Sequence, residues 1–383
     1  MTTVQAAACA PLRRTFLKNS ALALVSTALP AINFAQSPAQ TSATTQRVFS
    51  PQPGTWRTFE VTTRVDIQKA QGATRLWLPI PSVNTDWQQS LISSYSSNGV
   101  ARLEDDGHYG ARMLYVEFAA DQSKPFVELT SQVRTQNRAV DWAHKTAPAE
   151  DAATLKYWTR PTELLPTDGL VRKTALAATR GAKTDVEKAR KLYDWIVTNT
   201  FREPKVRGCG AGDIATMLET GNLGGKCADL NALFVGLCRS VGIPARDVYG
   251  LRLAPSAFGY RELGGNPASL KGAQHCRAEV YLAGFGWVAM DPADVAKVMR
   301  QEAPQWIKSA KDPLIVPVNQ HLFGGWEGNW VGFNMAHDVV LPHAKGAKLG
   351  FFMYPTAEDA GGRFDSYEPD QFKYQITSTE IKA

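Results

Sequence analysis

Residues Gly221 to Arg246 read GNLGGKCADLNALFVGLCRSVGIPAR. The glycines open a loop, after which Leu230, Leu233, Phe234, Leu237 and Val241 recur at helical spacing. Gly242 and Pro244 then stop the helix. This spacing places Cys227 in the first helical turn. Only a thiolate is nucleophilic, and the unpaired N–H groups and dipole of a helix start stabilise that anion. The same amides can hold the oxyanion of a tetrahedral intermediate. A nucleophile placed there needs a base, and the base needs an orienting group.

A second stretch, HCRAEVYLAGFGWVAMDPAD from His275 to Asp294, supplies both. Its period is two: His275, Arg277, Glu279 and Tyr281 alternate with Cys276, Ala278, Val280 and Leu282. On the return, Trp287, Ala289 and Asp291 alternate with Val288 and Met290. Matching the apolar faces predicts a hairpin with Ala283, Gly284 and Phe285 as its loop. Leu282 then opposes Gly286, Val280 opposes Val288, Ala278 opposes Met290 and Arg277 opposes Asp291. In that register Asp291 shares a face with His275, one diagonal step away, whereas a slip of one residue would separate them.

With these stretches in hand, residues 184 to 294 resemble the core of the transglutaminase-like superfamily. The resemblance rests on Gly225-Lys226-Cys227-Ala228-Asp229 running into Leu233-Phe234, and on Arg239 through Arg246 (RSVGIPAR). It rests equally on His275 through Glu279-Val280-Tyr281, then Gly286-Trp287-Val288 and Asp291-Pro292. It implies an α+β, papain-like fold in which a helix bearing the cysteine packs on an antiparallel sheet bearing His and Asp. It further implies that Cys227 is the nucleophile, His275 the general base and acid, and Asp291 the residue orienting the imidazole. The family usually carries an aromatic residue two positions after the histidine. Arg277 stands there instead, which points to altered packing beside His275 and an altered substrate groove. TRLWLPIPS (Thr74 to Ser82) also looks like bacterial members of the group.

Outward from the core, Phe59, Val61, Thr63, Val65 and Ile67 alternate as on a strand with one buried face. Further strand-like runs are Arg75–Ile80, Met113–Phe118 and Phe126–Val133, separated by turn-rich Ser93–Gly99 and Asp105–Gly110. They predict a small antiparallel β-sandwich over residues 51–140, preceding a core over 150–320. Asp168–Thr179 and Asp185–Thr198 carry helical spacing, the second opened by the capping box of Thr184 and Glu187. A β-rich extension over 321–383 carries runs at Leu349–Tyr354 and Phe372–Ile376. Before all of these, LRRTFLK (residues 12–18) and an apolar stretch from Ala21 to Phe34 have the order of an export signal. The paired Arg13-Arg14 resembles a twin-arginine signal over 1–35, cleaved near Ala35, Ala31 or Ser37. Residues 36–50 then read as a flexible leader.

The chain has 383 residues with a formal net charge of +6. Arg13, Arg14 and Lys18 contribute three of those charges. Without them 39 basic residues face 36 acids, a net of +3 that calls for no nucleic-acid partner. No run of apolar residues long enough to span a bilayer is expected in the mature chain. Cys209, Cys227, Cys238 and Cys276 form an even set, with three possible disulfide pairings in an oxidising compartment. Cys238 and Cys276 read as core residues, and Cys209, in GCGAGD, as the one open to oxidation. No Cys-x-x-Cys or His-Glu-x-x-His spacing supports a metal site, and neither metal nor organic cofactor is expected. His337-Asp338, Trp326 with Trp330, and Asp229 with Asn231 are secondary candidates for binding. Together these features predict an exported, periplasmic or secreted, cysteine-dependent acyl-transfer enzyme acting on peptide or protein amides, cell-wall peptides among them. Hydrolysis is favoured over transfer to an amine, because no acceptor site is visible. The rival from another class is a non-catalytic scaffold of the same fold.

Overall fold

Three antiparallel sheets organise the computed structural model, which describes residues 47–68 and 70–382. The expected signal, Cys9 and residues 36–46 of the leader lie outside the described residues. Within the rest of that leader, Phe49 is buried edge-on against Phe258 and Tyr260, at ring-centroid distances of 5.0 and 5.8 Å.

The first sheet orders Gln88–Ser97, Phe126–Thr135, Arg57–Asp66 and Tyr374–Ile381. The second orders Val100–Asp105, Arg112–Phe118, Thr74–Pro79, Thr356–Asp359 and Gly362–Arg363. Phe59, Val61 and Val65 of the first and Leu76, Leu78, Val116 and Phe118 of the second join one hydrophobic cluster. Both sheets therefore take strands from the two ends of the chain. Thr58 to Val65 pair with Tyr374–Ile381, and Thr356–Asp359 pairs with Thr74–Pro79.

Two strands were not expected, and the first runs into the predicted turn at Ser93–Gly99. Gln88–Ser97 is serine-rich and mostly exposed along its length, so it shows neither an apolar face nor a hydrophobic period. Val100–Asp105 is likewise exposed and lies at a sheet edge. Conversely, Leu349–Tyr354 forms no strand. Phe352 and Met353 are buried, but the Phe352 carbonyl accepts from the Asn334 side chain (2.7 Å) rather than from a neighbouring strand. The Phe372–Ile376 run begins with a helical turn over Pro369–Phe372, and its strand starts at Tyr374.

The third sheet orders Gly286–Met290, Gln274–Leu282, Ala245–Arg252 and Trp330–Asn334. Its hairpin adopts the expected register, with Leu282 opposite Gly286, Val280 opposite Val288 and Ala278 opposite Met290. The helix Cys227–Ser240 packs on this sheet, and all its residues are buried, its polar ones included. The neighbouring helix Asp185–Asn199 starts with the expected capping box. The Glu187 amide donates to the Thr184 hydroxyl (3.2 Å), and the Thr184 amide donates to the Glu187 carboxylate (3.4 Å). Ala189, Leu192, Tyr193 and Ile196 form its buried stripe.

Candidate active site

Cys227 is the first residue of its helix and lines a cleft of about 590 Å³. Asp229, one turn in, ties the preceding loops to the helix start. Its carboxylate accepts from the amides of Lys226, Ala211 and Gly212, each at 2.9 Å. Gly210 sits at φ +94°, and a Cβ there would fall 1.8 Å from the Asp229 carboxylate, so the loop closes only with glycine. Asp229 thus serves the backbone and does not line the cleft. The Ala228 amide donates to the Cys209 carbonyl (2.9 Å).

The hairpin register brings His275 and Asp291 together: His275 Nε2 lies 2.7 Å from Asp291 Oδ2. With Nε2 engaged, Nδ1 is the nitrogen left for the thiol. Asp291 follows the return strand directly and caps the helix Pro292–Gln301, its Oδ1 accepting from the Asp294 amide (3.1 Å). Asn231, on the Cys227 helix, donates to Asp291 Oδ1 (3.1 Å) and to the Cys276 carbonyl (2.9 Å). Its own oxygen accepts from the Ala293 amide (3.2 Å), so this one side chain links helix, strand and cap. Trp330 donates its indole N–H to the His275 carbonyl (3.0 Å), which fixes the histidine backbone from two strands away in the sheet.

A second carboxylate shares the imidazole. Asp294 Oδ2 lies 3.3 Å from His275 Nε2, and Arg252 neutralises Asp294 at 2.5 Å. Arg277 Nε lies 3.6 Å from Asp291. His275, Asp291 and Asp294 converge as three ligands of a cation could, but Arg252 and Arg277 already supply the positive charge there. Arg277 does not line the cleft. It is buried behind His275 with its guanidinium 4.7 Å from the Trp330 ring and 5.1 Å from Trp326, and it donates to the Glu327 carbonyl (3.0 Å). Tryptophans from a distant strand thus provide aromatic packing around an arginine standing where the family usually has an aromatic.

Residues 172–292 match the core of the transglutaminase-like superfamily. Over 343 residues the chain is 36% identical to an uncharacterised protein of Haemophilus influenzae, covering 84% of this chain and 91% of the relative. The chain therefore contains a transglutaminase-like superfamily domain. A solved structure of a presumed cysteine protease from Cytophaga hutchinsonii shares the fold, with a TM-score of 0.52 at 17% identity over 87% of this chain and 93% of that one.

Within this superfamily core, burial and charge act on the thiol in opposite senses. Burial pushes Cys227 up, but hydrogen bonds from Cys209, Cys276 and His275, together with the imidazolium charge, carry it well below the usual thiol range. Burial and Arg252 push His275 down, whereas Asp294 and Asp291 push it up by more, to about 9. Burial raises Asp294, but Arg252 and His275 hold it well below the carboxylate range.

The remaining thiols sit closer to Cys227 than sequence pattern suggests. Cys276, expected as plain core, directs its thiol at Cys227 across 3.7 Å. Cys209 is buried, donating to the Gln274 carbonyl (3.3 Å) and receiving the Tyr354 hydroxyl (3.1 Å). Cys238 is core, and all four described cysteines are free thiols. His337 lies outside the cleft, buried beside Asp247 (3.5 Å). Trp326 and Trp330 are buried with Trp87 and line no groove at the cleft. Gln274 was not singled out from sequence. It is buried at the cleft, and its Nε2 has no hydrogen-bond partner among the described residues.

Proposed function

We propose that this protein is an exported cysteine enzyme that breaks amide bonds through a thioester on Cys227. The observation that carries the reading is geometric: Cys227, at the start of its helix, and His275, held by Asp291 at 2.7 Å, line the same cleft. The Cys227 thiolate attacks the amide carbonyl carbon. The Cys227 backbone amide and the unpaired Gln274 side-chain amide are the donors available to the oxyanion. As the C–N bond breaks, the His275 imidazolium gives its proton to the leaving nitrogen, and the thioester and a free amine result. Water then attacks the thioester while His275 takes its proton, and thiolate and carboxylic acid are released. An amine in place of water would give transfer rather than hydrolysis. Asp291 and Asn231 act by positioning the imidazole.

Export rests on Arg13-Arg14 and the apolar stretch after it. No helix among the described residues is long and apolar enough to cross a membrane. The shared core of the two N-terminal sheets supports their reading as a β-sandwich. The enzymatic reading is tested by incubating the protein with a mixed peptide digest and a biotinylated primary amine. Wild type is expected to create new peptide termini or to incorporate biotin, and Cys227→Ala to do neither. Equal products from both proteins, or none from wild type, would favour a binding scaffold.

A further inference from the structure

Among the described residues, the cleft at Cys227 is lined by Arg202, Lys226, Arg252, Lys271 and Lys297 and by no aspartate or glutamate. The mature chain is nearly neutral, so this concentration of one sign is local. Three of the five cations have carboxylates beside them. Arg252 meets Asp294 at 2.5 Å, Lys271 meets Asp370 at 2.5 Å, and Lys297 lies 3.4 Å from Glu262. Arg202 and Lys226 have no ion-pair partner among the described residues. Arg202 takes only an uncharged contact, donating Nε to Gln301 (3.1 Å).

Backbone pairing sets these two next to the nucleophile. Arg202 pairs with Gly225 in the short parallel ladder of Phe201–Arg202 with Gly224–Gly225, and Lys226 directly precedes Cys227. Burial and then the Arg202 charge depress Lys226, while Cys209, Cys227 and Asp229 act on it in the opposite sense. Holding like charges together costs free energy that an anionic ligand would recover, and a cleft of one sign focuses such ligands toward its floor.

We infer that the acyl donor is an acidic peptide, with a carboxylate near the scissile amide read by Arg202 and Lys226. This rests on the proposed role of Cys227 and adds the substrate class. The cleft continues past Ser269, Lys271, Pro369 and Tyr374 into a neighbouring groove of about 900 Å³, which leaves room for an extended chain.

The test compares two alkylating probes of similar size, iodoacetate (anionic) and iodoacetamide (neutral), at Cys227, with β-mercaptoethanol as reference thiol, at pH 6 and low salt. The ratio of the two rates is internal to each protein, so general changes in thiol reactivity cancel. In wild type the iodoacetate-to-iodoacetamide ratio should exceed the reference ratio by about tenfold. Arg202→Gln with Lys226→Gln should lower it at least about fivefold, Arg202→Lys with Lys226→Arg should retain it, and 0.5 M salt should mimic the loss. An unchanged ratio in the glutamine variant, with Cys227 still outpacing the reference thiol toward iodoacetamide, overturns the acidic substrate and spares the cysteine reading. A wild-type Cys227 no faster than the reference thiol toward iodoacetamide overturns both. A phosphopeptide processed in preference to its aspartate or glutamate counterpart would also overturn the assignment to carboxylates.

Discussion

The pH dependence of Cys227 alkylation follows directly from the charge arrangement and can be read without a substrate. An ordinary thiol has a pKa of about 8.5, so its thiolate fraction climbs from about 0.3% at pH 6 to about 24% at pH 8, roughly 75-fold. Cys227 is held well below the usual range and His275 is raised to about 9. Thiolate and imidazolium therefore coexist above the depressed thiol value and below about 9. Across pH 6 to 8 the iodoacetamide rate should vary by less than about twofold, with a second step near pH 9 as the imidazolium loses its proton. The absolute rate is a weaker reporter than the shape. Lowering a thiol's pKa enlarges its thiolate fraction but weakens the nucleophilicity of that thiolate, so the two effects partly cancel in the rate. The assay is stopped-flow or mass-spectrometric alkylation of the mature protein, with Cys227 located by peptide mapping. His275→Ala removes one of the groups that lower the thiol while Cys209 and Cys276 stay in place, so its rate at pH 6 should fall and should rise with pH where wild type is flat. A wild-type profile rising as one step at pH 8.5 or above would refute the reasoning, since it would show that burial outweighs the hydrogen bonds and the imidazolium.

Asp294→Asn removes one of the two carboxylates that raise His275 while keeping an oxygen for Arg252, so the alkaline step should move below about 9; a step that stays or rises would count against the shared imidazole. Gln274→Ala should slow acylation by p-nitrophenyl acetate about 100-fold, within the range for loss of an oxyanion donor, and an unchanged rate would remove Gln274 from that role. Replacing Arg13-Arg14 with Lys-Lys should leave the precursor in the cytoplasm, as read by cell fractionation, and export unaffected by the change would rule out the twin-arginine route.

Much of the site is legible in the chain because it is built from local periodicity. The alternation from His275 to Leu282 admits one register for the hairpin, and that register sets Asp291 at the end of the return strand, within 2.7 Å of His275. The helical stripe after Lys226 likewise places Cys227 at a helix start. What supports these residues comes from elsewhere. Asn231, Arg252, Asp294 and Trp330 belong to four different elements, and their side chains reach Asp291, Asp294 or His275 from residues 19 or more positions away in sequence. Arg277 looks like a groove residue from its position after His275, but the tryptophans that cover it lie some fifty residues away in sequence. In the fold, the pairing of Arg57–Asp66 with Tyr374–Ile381 joins opposite ends of the chain, and period-two patterning says nothing about which strand takes which neighbour. Gln88–Ser97 escapes notice because it is a largely solvent-facing strand without an apolar period.

The most direct test of the account is the chemical state of Cys227 during turnover of an activated acyl donor. Wild-type protein mixed with p-nitrophenyl acetate and quenched in acid should release one equivalent of nitrophenolate in a burst. It should also carry one hydroxylamine-labile acetyl group, mapped to Cys227, with Cys227→Ala showing neither. A burst that persists in Cys227→Ala, or an acetyl group mapped to another residue, would contradict the assignment of Cys227 as the nucleophile.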